Sequence, residues 1–211
     1  MTFRKCTPAI LLLSTLLNSP VVFADTIIQT TVTSNYLANG ISLTDDKPAL
    51  QLGINYEHES GLYAGGMASN LSLGKEVDIN AGYYYKVHEA LGFDIGATHF
   101  IYTDNTFDEN STEYYLGCVC WVGSLVVAKG MYQGLEYINY DFRTEYDIRD
   151  DYSVGAHYGI FEIKELDSAF SDYYLSLTKK LGGNSISLLY WYSEYTQEAR
   201  TALSFSKTFN L

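Results

Sequence analysis

A chain of 211 residues in which 25 Asp and Glu outnumber 13 Lys and Arg carries a net charge of −12. Such a chain repels nucleic-acid phosphates and offers no basic face to an anionic membrane surface, so neither is expected as a partner. Charged residues at 18%, aromatics at 15% and 20 tyrosines exclude a disordered or helical composition and suit one all-β domain.

The chain opens on a leader. Arg4 and Lys5 precede the short apolar run Ala9–Leu17, and VVFAD supplies the small residue of a signal-peptidase site, with cleavage after Ala24. The run is shorter than the ~20 residues of a spanning helix, so residues 1–24 are expected to direct export and leave 25–211 as the folded domain. Cys6 departs with the leader.

Beyond the leader, strand succeeds strand. The stretch 26–36 fits a strand, and 49–58 puts Leu50, Leu52, Ile54 and Tyr56 on one face, with Gln51, Gly53, Asn55 and Glu57 opposite. After 62–71, the segment 76–87 alternates Val77, Ile79, Ala81, Tyr83, Tyr85 and Val87 with Glu76, Asp78, Asn80, Gly82, Tyr84 and Lys86. The segment 91–102 continues, and 112–132 divides in two near Gly123. Residues 135–148 set Ile138, Tyr140, Phe142, Tyr146 and Ile148 against Asn139, Asp141, Arg143, Glu145 and Asp147. Residues 152–160 set Tyr152, Val154, Ala156, Tyr158 and Ile160 against Ser153, Gly155, His157 and Gly159. Strands at 171–181, 185–195 and 201–211 bring the total to about twelve, each near the length a tilted strand needs to cross a bilayer.

The connectors sort by length. Tight turns at 59–61, 88–90, 149–151 and 182–184 interleave with longer polar connections at 37–47, 103–111 and 164–170, as in an outer-membrane barrel with short periplasmic turns and longer outside loops. This predicts an up-and-down antiparallel transmembrane β-barrel with both termini periplasmic. Tyr36, Tyr56, Tyr63, Tyr83, Tyr102, Tyr146, Tyr152, Tyr173 and Tyr192 fall near strand ends, where they suit the aromatic girdles at the two headgroup levels. The opposite faces hold Gly, Ser, Asn and acids. That is the composition of a wet lumen rather than of a lysine-covered exterior, so the apolar face is expected to meet lipid.

Residues 33–70 carry a more specific pattern. Ser34-Asn35-Tyr36, Gly40-Ile41-Ser42, Lys47-Pro48-Ala49-Leu50-Gln51, His58-Glu59-Ser60-Gly61, Tyr63-Ala64-Gly65 and Ala68-Ser69-Asn70 occur in order. This run resembles the start of the TorF family, small proteobacterial outer-membrane porins, and the resemblance implies a porin-like barrel without naming a solute. Asn39 stands where that family has Arg, Leu43 where it has Gln, and Leu52 where it has Gly, which puts any inherited selectivity in doubt. Scaffold geometry accounts for the same residues: Asn39-Gly40 reads as a turn with positive φ, Pro48 as a strand opener and Ser60-Gly61 as a tight hairpin.

The chemistry-bearing residues point to a pore rather than a catalyst. His58 and His88 lie at tight turns and His99 on the apolar face. Only His157 faces inward, and Ser153, four residues away on the strand, is too distant to serve as its nucleophile. A hydrolase using His157 is the least favoured function. Cys118 and Cys120 share a face without further His or Cys ligands, so they read as apolar fillers, with no metal and no cofactor expected. The inner face places Glu57, Glu76, Asp78, Asp94, Asp141, Glu145, Asp147 and Asp172 against Lys86, Arg143 and Lys180, an excess of acid that predicts a mild cation preference in a conducting lumen. Paired as salt bridges, with Arg143 on Asp141 or Glu145, the same groups fill the lumen instead. Twelve strands lie between the filled and the open case. Two functions therefore stand open: a narrow porin for small solutes or cations, and a structural or surface-interaction barrel working through its loops. The last strand, with Leu203, Phe205, Phe209 and Leu211 on one face, resembles the segment read by the barrel-assembly machinery.

Overall fold

The computed structural model describes residues 25–103, 110–132 and 134–211. The leader with its expected cleavage after Ala24, and most of the 103–111 connection, lie outside the described residues.

Twelve strands close into one antiparallel barrel in which each pairs with its sequence neighbours. They are β1 (Asp25–Thr33), β4 (Ala49–Glu57), β5 (Leu62–Asn70), β6 (Lys75–His88), β7 (Leu91–Thr103) and β8 (Ser111–Cys120), followed by β9 (Gly123–Tyr132), β10 (Leu135–Arg149), β11 (Tyr152–Ile163), β12 (Ser168–Leu181), β13 (Asn184–Ser193) and β14 (Glu198–Asn210). A two-stranded hairpin, β2 (Leu37–Ala38) with β3 (Ile41–Ser42), sits in the connection between β1 and β4. The seam closes where β14 pairs β1 from Ile27↔Asn210 to Thr33↔Ser204. Closure leaves no row of unpaired backbone groups, the condition a β structure must meet in hydrocarbon.

The period-2 pattern sets which side faces out. Leu50, Leu52, Ile54, Ile79, Ile95, Leu116, Leu175 and Leu188 are each more than half exposed on the outer surface, while Gln51, Asp78, Asn80, Asp94 and Trp191 on alternate positions are buried inside. An exterior so apolar around an interior so polar inverts the pattern of a soluble barrel.

One rim carries the two chain ends of the barrel and tight turns at 58–61, 89–90, 121–122, 150–151 and 182–183. Gly61 is fixed in the first of these by φ +91, and a Cβ there would stand 2.2 Å from the Tyr84 carbonyl oxygen. His58 and His88 close turns of this rim: the Ser60 N–H donates to His58 Nδ1 (3.2 Å) and the Ala90 N–H to His88 Nδ1 (3.1 Å). Bulges at Lys86/His88 and Asp147/Arg149 fall at the same rim, where ladders commonly break.

The opposite rim departs from expectation twice. The 164–170 connection is not a long loop: β11 and β12 stay paired out to Ile163↔Ser168, leaving a 3-10 turn at Lys164–Leu166 and a left-handed Asp167. Ring stacking extends the pairing, with Phe161 on Phe170 (5.2 Å between centroids), Tyr137 on Phe161 (4.7 Å) and Tyr195 on Phe170 (5.0 Å). The 37–47 connection is long but does not stand outside. It folds inward, and Tyr36, Leu37 and Thr44 are buried.

Candidate pore lining

The interior is built from inward positions of every strand and from the inward-folded segment 34–48. Near the loop-bearing rim, Glu76, Asp78 and Asn80 form a ladder at successive inward positions of β6, each at least 96% buried. Glu76 Oε2, Asp78 Oδ1 and Asn80 Oδ1 meet no donor among the described residues. Tyr36 and Tyr102 lie against Glu76. Burial first, then the charges of Glu76 and Asp78, push the Tyr36 phenol well above its ordinary value, so it stays a neutral donor. Glu113, on β8, belongs to the same wall and accepts a hydrogen bond from the Tyr137 hydroxyl (3.0 Å). The alternation of 112–120 shows Glu113 inward. It escapes notice in the sequence because that stretch is apolar on both faces.

A second cluster spans β10 to β13. Arg143 Nη2 donates to Asp141 Oδ2 (2.5 Å), two residues away on one strand. His157 Nδ1 faces the same Asp141 oxygen at 3.5 Å, and its Nε2 lies 2.8 Å from Asp172 Oδ1. The Trp191 indole N–H donates to that Asp172 oxygen (2.6 Å), and the imidazole stacks on Tyr174 at 4.8 Å and 7°. Both imidazole nitrogens therefore face carboxylates, and neither is directed at a hydroxyl nucleophile. The pairing of Arg143 with Asp141 is one of the two arrangements the sequence allowed. The sandwiching of His157 is not foreseeable, because Asp172 and Trp191 arrive from other strands.

At the tight-turn rim, Lys180 Nζ lies 2.6 Å from Asp147 Oδ1. Glu57 and Glu145 are partly buried near the same rim, and Lys86 is exposed beside its bulge. Asp94 sits deeper and accepts from the Tyr63 hydroxyl (2.7 Å), which also hydrogen bonds the Tyr115 hydroxyl.

Three of the tyrosines expected in the lipid girdles are instead interior: Tyr36, Tyr63 and Tyr102. Tyr36 and Tyr102 turn in against Glu76, whereas for Tyr63, and for two inward tyrosines outside that set, the reason lies across the strand pair. Tyr63 pairs with Gly82, Tyr115 with Gly96 and Tyr137 with Gly130, and a Cβ on each glycine would fall 2.2–2.4 Å from the tyrosine hydroxyl. Each ring lies flat over the space its neighbour lacks. The glycine-rich inner face is therefore partly an aromatic wall, not simply a run of small residues. The outward set behaves as expected: Tyr56, Tyr83, Tyr146 and Tyr173 are exposed, and Tyr173 packs beside Tyr192. Tyr152 lies under Lys179 Nζ.

Opposite that wall, β12, β13, β14 and β1 present small hydroxyls toward the tight-turn rim. Ser176, Thr178, Ser187, Ser204, Ser206 and Thr31 are half-buried, with bonds between Thr178 and Ser187 and between Thr31 and Ser206 (both 2.8 Å).

Of the family-motif residues, those from Ser34 to Pro48 build the 34–48 segment, while Gly61 closes its turn at the opposite rim. Ser34 Oγ accepts the Leu203 N–H (3.0 Å). Asn35 accepts from Ser42 Oγ (2.6 Å) and donates to Asp46 (2.6 Å). Asn39 and Gly40 have the positive φ read from their sequence (48° and 72°), and Gly40 packs so closely that a Cβ would meet Ser193 Cβ at 2.7 Å. Ile41 lies in the small hairpin, and Pro48 precedes β4, with its carbonyl accepting from Asn70 (3.2 Å). Cys118 and Cys120 are free thiols at outward positions.

The barrel is similar to that of the KdgM porin, solved also in complex with disordered oligogalacturonate, at a TM-score of 0.65 and 12% identity over 88% of this chain and 99% of that one. It is similar to the NanC porin at a TM-score of 0.62 and 9% identity, over 88% of this chain and all of that one. These likenesses show the fold, that of a porin barrel. No curated protein matches the chain. A family model described as "Bacterial protein of unknown function (Gcw_chp)" matches residues 17–210. The chain thus belongs to the Gcw_chp family of bacterial proteins.

Proposed function

We propose that the protein is an outer-membrane porin: a narrow, acid-lined barrel for passive diffusion of small solutes, leaning toward cations. The observation that carries this reading is the sign of the interior. Glu76, Asp78, Asp94, Glu113, Asp141 and Asp172 lie inside, while the inward basic side chains are already engaged by carboxylates, Arg143 by Asp141, Lys180 by Asp147 and Arg200 by Asp46 and Glu198. An excess of carboxylates over basic groups in a low-dielectric wall favours counter-ions of positive sign. KdgM is described with an oligogalacturonate, a polyanion; the interior of this chain suits the opposite charge, and we expect it to pass no such ligand. The TorF resemblance of residues 33–70 supports a porin of the outer membrane. In this reading residues 1–24 are the exported leader, cleaved after Ala24, the tight-turn rim and both termini face the periplasm, and β14 engages the assembly machinery. Lipid contacts the apolar exterior, and catalysis plays no part.

The test is single-channel recording of the refolded protein in a planar bilayer across a salt gradient. Discrete steps with a reversal potential on the cation side are expected, moving toward zero in Glu76→Gln/Asp78→Asn. An anion-selective current refutes the charge argument.

A second reading is favoured by the burial of those same groups: a barrel filled by its side chains, acting through its loops. A folded barrel, identified by heat-modifiable gel mobility, that stays silent in the wild type and in every variant supports a filled lumen and turns attention to the loops.

A further inference from the structure

Residues 34–48 touch the barrel wall on both sides of the β1 seam at once. Tyr36 packs with Ala49, Met67 and Leu71 on the β4–β5 side, and Leu37 with Tyr174, Trp191 and Ala202 on the β12–β14 side. Tyr102 of β7 packs against the Tyr36 cluster and Glu76 of β6 lies on Tyr36, and β7 stands five strands from β12 in the ring of twelve, so a segment touching both sides crosses the mouth between them.

The segment is a built unit. Asn35 bonds Ser42 and Asp46, the Thr44 hydroxyl donates to the Lys47 carbonyl (2.6 Å), and the Leu43 N–H donates to the Tyr36 carbonyl (2.8 Å). Its turns pass through φ of 48°, 52° and 56° at Asn39, Asp45 and Asp46, a left-handed geometry that Asn and Asp adopt readily, so the shape of the segment is local and its position across the mouth is what needs an outside hold.

Arg200 supplies that hold. From an inward position of β14, its Nε lies 3.2 Å from Asp46 Oδ1 on the returning limb, and its Nη1 donates to the Gly40 carbonyl at the tip (3.2 Å). Glu198 takes the remaining nitrogen. Next to the clamp lies an open cavity of about 530 Å³, bordered by Ser34, Asn35, Asp46 and Arg200.

We propose that residues 34–48 are the constriction of the pore, with Tyr36 and Leu37 setting the largest solute that passes, and that Arg200 is the positioning residue that holds them across the mouth. The inference rests on the porin reading above. It gives the Ser34-Asn35-Tyr36 and Gly40-Ile41-Ser42 motif a role: the motif folds a loop inward instead of merely joining two strands. Lysine cannot replace the guanidinium fully, because a single ammonium does not reach both limbs with the geometry of a planar fork.

The experiment compares wild type, Arg200→Ala, Arg200→Lys and Leu37→Ala in planar bilayers, measuring conductance in potassium chloride and the polyethylene glycol size that blocks it. Arg200→Ala and Leu37→Ala are expected to raise conductance roughly twofold or more and to admit larger polymers, with Arg200→Lys between. A structural role alone moves the heat-modified gel band or the denaturation midpoint and leaves the polymer cut-off where it was. A second readout needs no current. Leu37→Cys in a cysteine-free background is expected to react faster with a water-soluble maleimide when Arg200→Ala is added. Conducting variants with wild-type conductance and cut-off overturn the constriction and leave the porin reading standing. Silence in wild type and every variant overturns both. A silent wild type beside a conducting Arg200→Ala supports the constriction in its tightest form.

Discussion

Leu175→Arg is expected to destabilise the barrel by about 2–4 kcal/mol, the range for a cationic side chain on the lipid face near the bilayer midplane. Leu175 stands midway along β12 and is 62% exposed on the outer surface. Ser176, the next residue, points inward opposite Gly155, where no Cβ competes for the space. Ser176→Arg is therefore expected to stay within about 1 kcal/mol of wild type, since it places its charge against a hydroxyl wall and not in hydrocarbon. Denaturant titration of both variants in lipid vesicles checks the orientation of the entire sheet, because a strand has only two faces. Equal losses, or a larger loss for Ser176→Arg, contradict a lipid-facing exterior. In water without lipid, Leu175→Arg has no such penalty.

The second large effect lies inside. Asp172 is 1% exposed, and its Oδ1 accepts from Trp191 Nε1 while facing His157 Nε2. Asp172→Ala removes the acceptor and leaves an indole N–H and an imidazole nitrogen buried without partners. Breaking one side of a buried polar pair typically costs about 3–5 kcal/mol. We expect a loss of that order in the denaturation midpoint, accompanied by altered Trp191 fluorescence as the ring leaves its hydrogen bond. Asp172→Asn retains an acceptor oxygen for Trp191 and should lose less than half as much. A variant as stable as wild type means that the cluster contributes little, and that the barrel is held by its ladder alone.

How much of this was legible in the sequence depends on the range of each signal. The alternation of Glu76 to Val87 lies within one strand, so the strand, its two faces and the apolar exterior all derive from local order. The turn at Asn39-Gly40 and the hairpin at Gly61 are local too. What stayed hidden depends on two strands at once. Tyr63 and Tyr102 near strand ends look like girdle residues, and only their partners across the ladder, or the Glu76 carboxylate, show that they point inward. The 34–48 segment reads as an exterior loop because its polar residues are conspicuous. Those polar groups instead satisfy one another, and the few apolar ones, Tyr36 and Leu37, are the part that reaches into the barrel. Arg200 was missed for the same reason, since its partners lie some 154–160 positions away in the chain.

The tyrosine–glycine pairs have a consequence for how the sheet is assembled. A one-residue slip between neighbouring strands turns every side chain to the wrong face and is rejected at once. A two-residue slip keeps exterior and interior residues on their proper sides, so the hydrophobic pattern is blind to it. The interlocked rings are not blind. A slip of two between β5 and β6 sets Tyr63 against Asn80 or Tyr84, and one between β7 and β8 sets Tyr115 against Asp94 or Thr98. In each case a flat ring meets a side chain where it had a hollow. The same pairs that line the interior thus act as a vernier on strand alignment, accepting one setting in steps of two and refusing its neighbours.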